Sequence, residues 1–87
     1  MIRPPRIHLE PASEVDRFDV VATSAAGMQR EPCFEIARAD NVDPADRRSV
    51  ASAIQWLRRT AGADPRDVRE LLLAEHVVRI IETRRAA

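Results

Sequence analysis

The sequence predicts an α+β fold in which a small antiparallel sheet of two or three strands is covered by a C-terminal helical hairpin. In the first half, apolar and polar residues alternate with the period of half-buried strands. In the second half, apolar residues recur at helical spacing behind two similar helix-start sequences. At 87 residues, the chain is expected to form a single domain over residues 1–87, with a β-rich part at 6–39 and a two-helix part at 44–83.

The first two strands are predicted from alternation. Residues 6–10 form a short strand that Pro11 ends, and residues 16–24 form a second strand. Phe18, Val20 and Ala22 are expected to share one face of the second strand, while Asp19, Val21 and Thr23 share the other. A turn is expected at residues 24–27, because Gly27 can adopt a positive φ without steric cost.

Residues 32–39 allow two interpretations. A strand at residues 33–38 would pair with the second strand and place Phe34 and Ile36 in the core. A short helix with Pro32 in its first turn, preceded by a strand at residues 28–30, fits the same residues. The strand is favoured, although periodicity alone does not separate the two for so short an apolar run.

Both helices are predicted from a repeated start sequence. Residues 43–46 (DPAD) and residues 64–67 (DPRD) each offer an N-cap aspartate, a first-turn proline and a second aspartate near the positive end of the helix dipole. The first helix is expected over residues 44–61, with Gly62 as its stop. The second is expected over residues 65–83, and a strand at its β-branched residues 77–81 is the alternative.

The second helix has more apolar surface than one narrow contact would bury. Its apolar residues cover about half of the circumference, namely Leu71, Leu73, Ala74, Val77, Val78, Ile80 and Ile81. The other half is expected to be solvated, with ion pairs from Arg79 to Glu75 and Glu82. A small domain with surplus apolar helix surface is often a dimer, so we expect association with itself or with another protein.

Several chemistries lack the residues that they need. All fourteen basic residues are arginine, which excludes Schiff-base catalysis and phosphate loops that need a lysine. Cys33, His8 and His76 are too few and too dispersed for a zinc site, and Cys33 is expected to be a small core residue. Three carboxylates would serve acid–base chemistry only if they met across the sheet, namely Glu10, Asp19 and Glu35. We therefore expect no enzyme activity, cofactor, metal or small-molecule substrate.

The same sequence points to the cytoplasm. The N-terminal residues have no apolar run typical of a signal peptide, and no stretch is long enough to cross a membrane. A single cysteine cannot form an internal disulfide, so nothing indicates an oxidising compartment.

The leading functional hypothesis is a non-enzymatic protein-interaction module. It would be an adaptor, regulator or inhibitor of the kind that bacterial mobile elements and phages carry, acting through a helical surface as a dimer. Tryptophan and arginine are enriched at interface hot spots. The predicted binding residues are Trp56, Arg58, Arg59, Val78, Arg79 and Ile81. In the other interpretation of Trp56, the indole closes over the second helix as part of the core.

The alternative is a DNA-binding transcriptional regulator. The first helix carries a polar face suited to a major groove, formed by Arg48, Ser52, Gln55 and Arg59. A helix at residues 32–39 would give the layout of a helix-turn-helix. Against this stand a pI of about 6.7, and Asp43 and Asp46 at the helix end that would approach the phosphates.

Overall fold

Three antiparallel strands are followed by two helices, which confirms the predicted α+β fold. The structure is a computed structural model that describes residues 4–24 and 34–86. The strand order in the sheet is β1-β2-β3, and α1 packs against both β3 and α2. The elements are β1 (Arg6–Pro11), β2 (Phe18–Thr23), β3 (Glu35–Val42), α1 (Arg47–Ala61) and α2 (Pro65–Ala86). The helix alternative for residues 32–39 is wrong, because residues 35–39 are strand; the turn predicted at 24–27 (beyond Ser24) and Cys33 lie outside the described residues.

The core lies between one face of the sheet and the two helices. Phe18, Val20 and Ala22 share one face of β2 and are buried, since β2 is the central strand and is covered on that face. Ile7 and Leu9 of β1 are partly buried against the same core. The buried cluster itself consists of Val20, Ala22, Ala39, Val42, Ala53, Leu57, Ala63, Val68 and Leu72.

Two irregularities in β3 decide which of its side chains face the core. Val20 pairs with Ala39 but Phe18 pairs with Val42, so β3 carries an extra residue there, and Asn41 has a φ of 51°. Asp19 Oδ1 accepts a hydrogen bond from Asn41 N at 3.0 Å, which stabilises this bulge. A second register shift lies between the Ala22–Ala37 and Thr23–Glu35 pairs and leaves Ile36 without a partner in β2.

The bulges overturn the predicted burial of this strand. Phe34 and Ile36 are exposed, with relative accessibilities of 65% and 43%, and were wrongly expected in the core. Ala39 and Val42 are buried instead, because the extra residue between their pairings turns both toward the helices.

The two similar start sequences form the same turn, since Asp43 and Asp64 each accept from the N–H two residues on and from the N–H three residues on, but their helices begin at different positions. At the second, Asp64 Oδ1 accepts from Arg66 N and α2 begins at Pro65, as predicted. At the first, residues 43–46 form a turn closed by Asp46 N donating to Asp43 O, and Asp46 is the N-cap. The predicted start at residue 44 is therefore wrong by three residues, since α1 begins at Arg47. Asp43 N donates to Ser49 Oγ at 2.9 Å, which fastens the turn to the helix.

The helices are joined by the predicted glycine stop. Gly62 has a φ of 68°, and its N–H donates to Arg58 O, which is the bond of an αL cap, while Ala63 N donates to Leu57 O. The second helix continues to Ala86, beyond the predicted end at residue 83, and the strand alternative at residues 77–81 is wrong. Its 22 residues span about 33 Å and account for much of the 48 Å long axis of the molecule.

Candidate functional site

The direction in which α2 faces is set by its first turns. Val68 and Leu72 are buried against the sheet and α1. Positions seven and eleven residues after Val68 fall on the same side of a helix, and these are Glu75 and Arg79. Both are half-buried, as is His76. The prediction of a solvated face is therefore wrong for these three residues, which point toward the domain, whereas Glu82 of the same predicted face is exposed.

Arg79 fixes this part of α2 to the sheet. Its Nη1 donates to Asp16 Oδ1 in the turn between β1 and β2, and its guanidinium carbon lies 5.0 Å from the Phe18 ring centroid. These contacts combine an ion pair with a cation–π interaction. Asp16 has a φ of 67°, a conformation that aspartate tolerates better than most residues. The Arg79 pairs predicted with Glu75 and Glu82 are replaced by this longer-range contact.

The apolar residues that follow Leu72 in α2 consequently point away from the domain. We call this surface the outer face of α2, and it consists of Leu73, Ala74, Val77, Val78, Ile80 and Ile81. All six are exposed, and the five larger side chains range from 41% to 58%. The contrast is sharpest between neighbours, since Leu72 is 1% exposed and Leu73 is 58% exposed. In the second half of α2, the polar side of the helix therefore faces the domain and the apolar side faces solvent, which is the reverse of the usual arrangement.

Two adjoining grooves connect the outer face to α1. The first has a volume of about 430 Å³ and lies between α2 and the start of α1, where Val50, Ile54 and Leu73 line it. The second has a volume of about 350 Å³, and Ile80 lines it beside His76 and Arg79. Both include Pro44 and Ala45. The exposed apolar surface therefore continues from α2 onto the turn that precedes α1.

Trp56 lies on a different surface. Its indole Nε1 donates to Arg38 O on β3 at 3.0 Å, and the side chain is 51% exposed. It lines a groove toward β3 with Ser49 and Ser52, whereas α1 contacts α2 through its opposite side. The interpretation of Trp56 as a lid over α2 is wrong. Arg58 and Arg59 are exposed, but the structure does not bring Trp56 together with Val78 and Ile81.

The residues of the DNA-binding alternative share one exposed face of α1. All four are exposed, namely Arg48, Ser52, Gln55 and Arg59. The helix-turn-helix layout is absent from residues 34–86, because β3 stands where the first helix would be. The carboxylate of Asp46 caps the end of α1 that would approach phosphates.

The sheet face turned away from the helices carries a charge network that was not predicted. Arg38 donates to Asp19 Oδ2 at 2.8 Å, to Glu10 Oε1 at 3.1 Å and to Glu35 Oε1 at 2.8 Å. His8 Nε2 and Glu10 Oε2 are 2.9 Å apart. Glu35 reaches the same face as Arg38 because the unpaired Ile36 shifts the alternation. Three carboxylates from three strands thus meet around one guanidinium.

The electrostatics of this network oppose general acid chemistry. The hydrogen bond from His8, followed by that from Arg38, lowers the pKa of Glu10 below its ordinary value. The hydrogen bonds with Glu35, Glu10 and Asp19 raise the pKa of Arg38. A general acid at neutral pH needs a carboxyl whose pKa is raised, so Glu10 is tuned in the wrong direction for that role.

Sequence reasoning missed Arg38 and Asp16 as partners in these contacts. The inward direction of Arg79 was readable, since it follows from spacing to Val68 and Leu72. No local signal marks Arg38, whose partners Asp19 and Glu10 lie 19 and 28 residues away.

Among the described residues, no group of three or more His, Cys, Asp or Glu side chains is arranged to hold a metal ion. Over residues 4–24 and 34–86, neither helix combines the length and apolar composition that crossing a bilayer requires. Comparison with models of protein families, with curated protein sequences and with solved structures gives no match.

Proposed function

We propose that this chain is a non-enzymatic protein-interaction module, an adaptor, regulator or inhibitor, whose binding surface is the outer face of α2. The observation that carries the proposal is the reversed amphipathicity of α2. Apolar side chains such as Val77 face solvent, while Glu75 and Arg79 face the domain.

The physical support is the burial that this face still lacks. Completing the burial of a half-exposed Val, Leu or Ile side chain contributes about 1 kcal/mol, half the value for full burial. Five such side chains within nine residues form a contiguous apolar surface, which on a small protein marks an interaction site. A partner that supplies a matching apolar helix or groove would cover them.

The class of partner follows from the kind of contact available. Valine and isoleucine side chains offer apolar, non-directional contact and no group that could act on a substrate. We propose that the partner is a protein, which includes a second copy of this chain. We also propose a cytoplasmic location, supported by the single cysteine of the sequence.

A photo-crosslinking amino acid at position 77 tests the proposal. Val15 in the β1–β2 turn is the matched control position, because it is also an exposed valine but belongs to the turn that contacts the inner side of α2 and not to the outer face. We expect position 77 to give discrete crosslinked protein species in host cells and position 15 to give none. Equal and unspecific crosslinking at the two positions would contradict the proposal.

The exposed face of α1 supports a second candidate, a DNA-binding regulator. Arg48, Gln55 and Arg59 share that face and leave it open to a ligand. Replacing Arg48 and Arg59 by glutamine should then reduce DNA retention and its dependence on salt concentration, since each phosphate contact releases counterions. Retention that is absent at low salt in the wild-type chain would contradict this candidate.

A further inference from the structure

We infer that the occupant of the outer face of α2 is the same face of a second copy, paired antiparallel about a two-fold axis at Val77. This inference rests on the proposed function, because it takes the outer face as the binding surface. The residues three and four positions before Val77 are Ala74 and Leu73, and those three and four positions after it are Ile80 and Ile81. An antiparallel two-fold at Val77 therefore sets apolar residues against apolar residues on both sides.

Charges at the two ends of this face select the orientation. Glu70 lies seven residues before Val77 and Arg84 lies seven residues after it, so all three are on nearly the same side of the helix. Both charged side chains are exposed, and neither forms an ion pair with another described residue.

In the antiparallel arrangement, Glu70 of each copy meets Arg84 of the other. A parallel arrangement in register would instead bring glutamate against glutamate and arginine against arginine, which is repulsive. The charge pattern is therefore complementary to itself only when the second helix runs in the opposite direction.

The main attachment of α2 to the domain lies on the side opposite this pairing, although Glu70 also lines a groove with Arg6 of β1 and Arg84 lines one with Asp16 and Asp43. Val68, Leu72 and Arg79 attach α2 to the domain from the inner side, opposite the outer face. Two copies can thus approach through α2 with both domains on the outside. Arg84 lies 14 positions after Glu70, which gives a contact about 21 Å long, or about four helical turns.

Charge exchange in the full-length chain tests the pairing. The dimer dissociation constant is measured by sedimentation equilibrium at low ionic strength, with a reductant to exclude disulfides through Cys33. Glu70→Arg or Arg84→Glu alone should weaken the dimer about tenfold, because each creates two like-charge pairs. The double variant should restore it, and an equimolar mixture of the single variants should form mixed dimers.

Glu82→Arg is the matched control, since it makes the same charge change at an exposed position about 140° around α2 from Val77 and should leave the dissociation constant unchanged. Circular dichroism checks that each variant is folded. A wild-type dimer that ignores both single exchanges would overturn the antiparallel register. A wild-type chain that stays monomeric at millimolar concentration would overturn the second copy as occupant, and crosslinking of position 77 to a different protein would then leave the proposed function standing.

Discussion

The outer face of the sheet and the outer face of α2 both point to solvent, yet they are built in opposite ways. On the sheet, the charges of Glu10, Asp19 and Glu35 are paired with Arg38 inside the same chain. On α2, apolar side chains such as Leu73 and Val77 are left without a covering element among the described residues.

This difference separates two roles that surface residues can have. The sheet face completes its interactions within the domain, so changes there should alter stability and leave association unchanged. The face on α2 lacks the burial that apolar groups require, so changes there should alter association and leave stability nearly unchanged.

Two adjacent leucines provide the largest expected contrast. Leu72→Ala should lower the free energy of unfolding by about 2–5 kcal/mol, because it opens a cavity in the core. Leu73→Ala makes the same chemical change on the outer face and should cost about 0.5 kcal/mol or less in the dilute monomer. Urea denaturation at low protein concentration measures both. Equal losses would show that α2 has no solvent-facing apolar side and would break the comparison.

Arg79 should have a smaller and more local effect, since it joins the second half of α2 to the sheet. Arg79→Met removes the contacts with Asp16 and Phe18 and should cost about 1 kcal/mol. Hydrogen exchange should show the loss of protection concentrated in residues 75–86. Arg69→Met changes another arginine of α2, which is exposed, and serves as control. The same protection pattern in both variants would argue against Arg79 as the attachment point.

The smallest effect is expected from the sheet network under acid conditions. The lowered pKa of Glu10 means that its contribution to stability is present above its ordinary value of 4.5 and is lost as pH falls through the lower folded value. Glu10→Gln should therefore reduce the melting temperature at neutral pH, and the difference from wild type should shrink with acidification. Thermal melts at several pH values measure it, with Glu82→Gln as control. A difference that grows toward low pH would have the wrong sign for this network.

The elements of the fold were predictable because they depend on local sequence. Alternation in β1 and β2 and the stop at Gly62 act over a few residues, and each is found where the pattern indicated. The start of α1 was not predictable from the same aspartate–proline signal that worked for α2. At the first signal, the Asp43 N–H bonds to the Ser49 side chain, and the helix begins only at Arg47. The position of this helix start therefore depends on a residue that lies outside the aspartate–proline signal.

The candidate site was predictable only in part, for a related reason. An excess of apolar surface on the second helix could be counted from the sequence, but its direction depends on how Val68 and Leu72 dock. Trp56 was grouped with that surface because both are apolar and helical, whereas its indole bonds to β3 on the other side of α1. The three carboxylates meet at Arg38 because of the strand pairing and the two bulges, and no local sequence pattern indicates either of these.

Because of its position, Trp56 is an intrinsic fluorophore that reports on the contact between α1 and β3. It is the one tryptophan of the chain, and its ring is held between α1 and the edge of β3. Its emission should shift to longer wavelength when the helix separates from the strand and water surrounds the indole. Because the outer face of α2 lies on the far side of α1, assembly through that face should leave the spectrum unchanged. A single optical signal can therefore follow unfolding without interference from association.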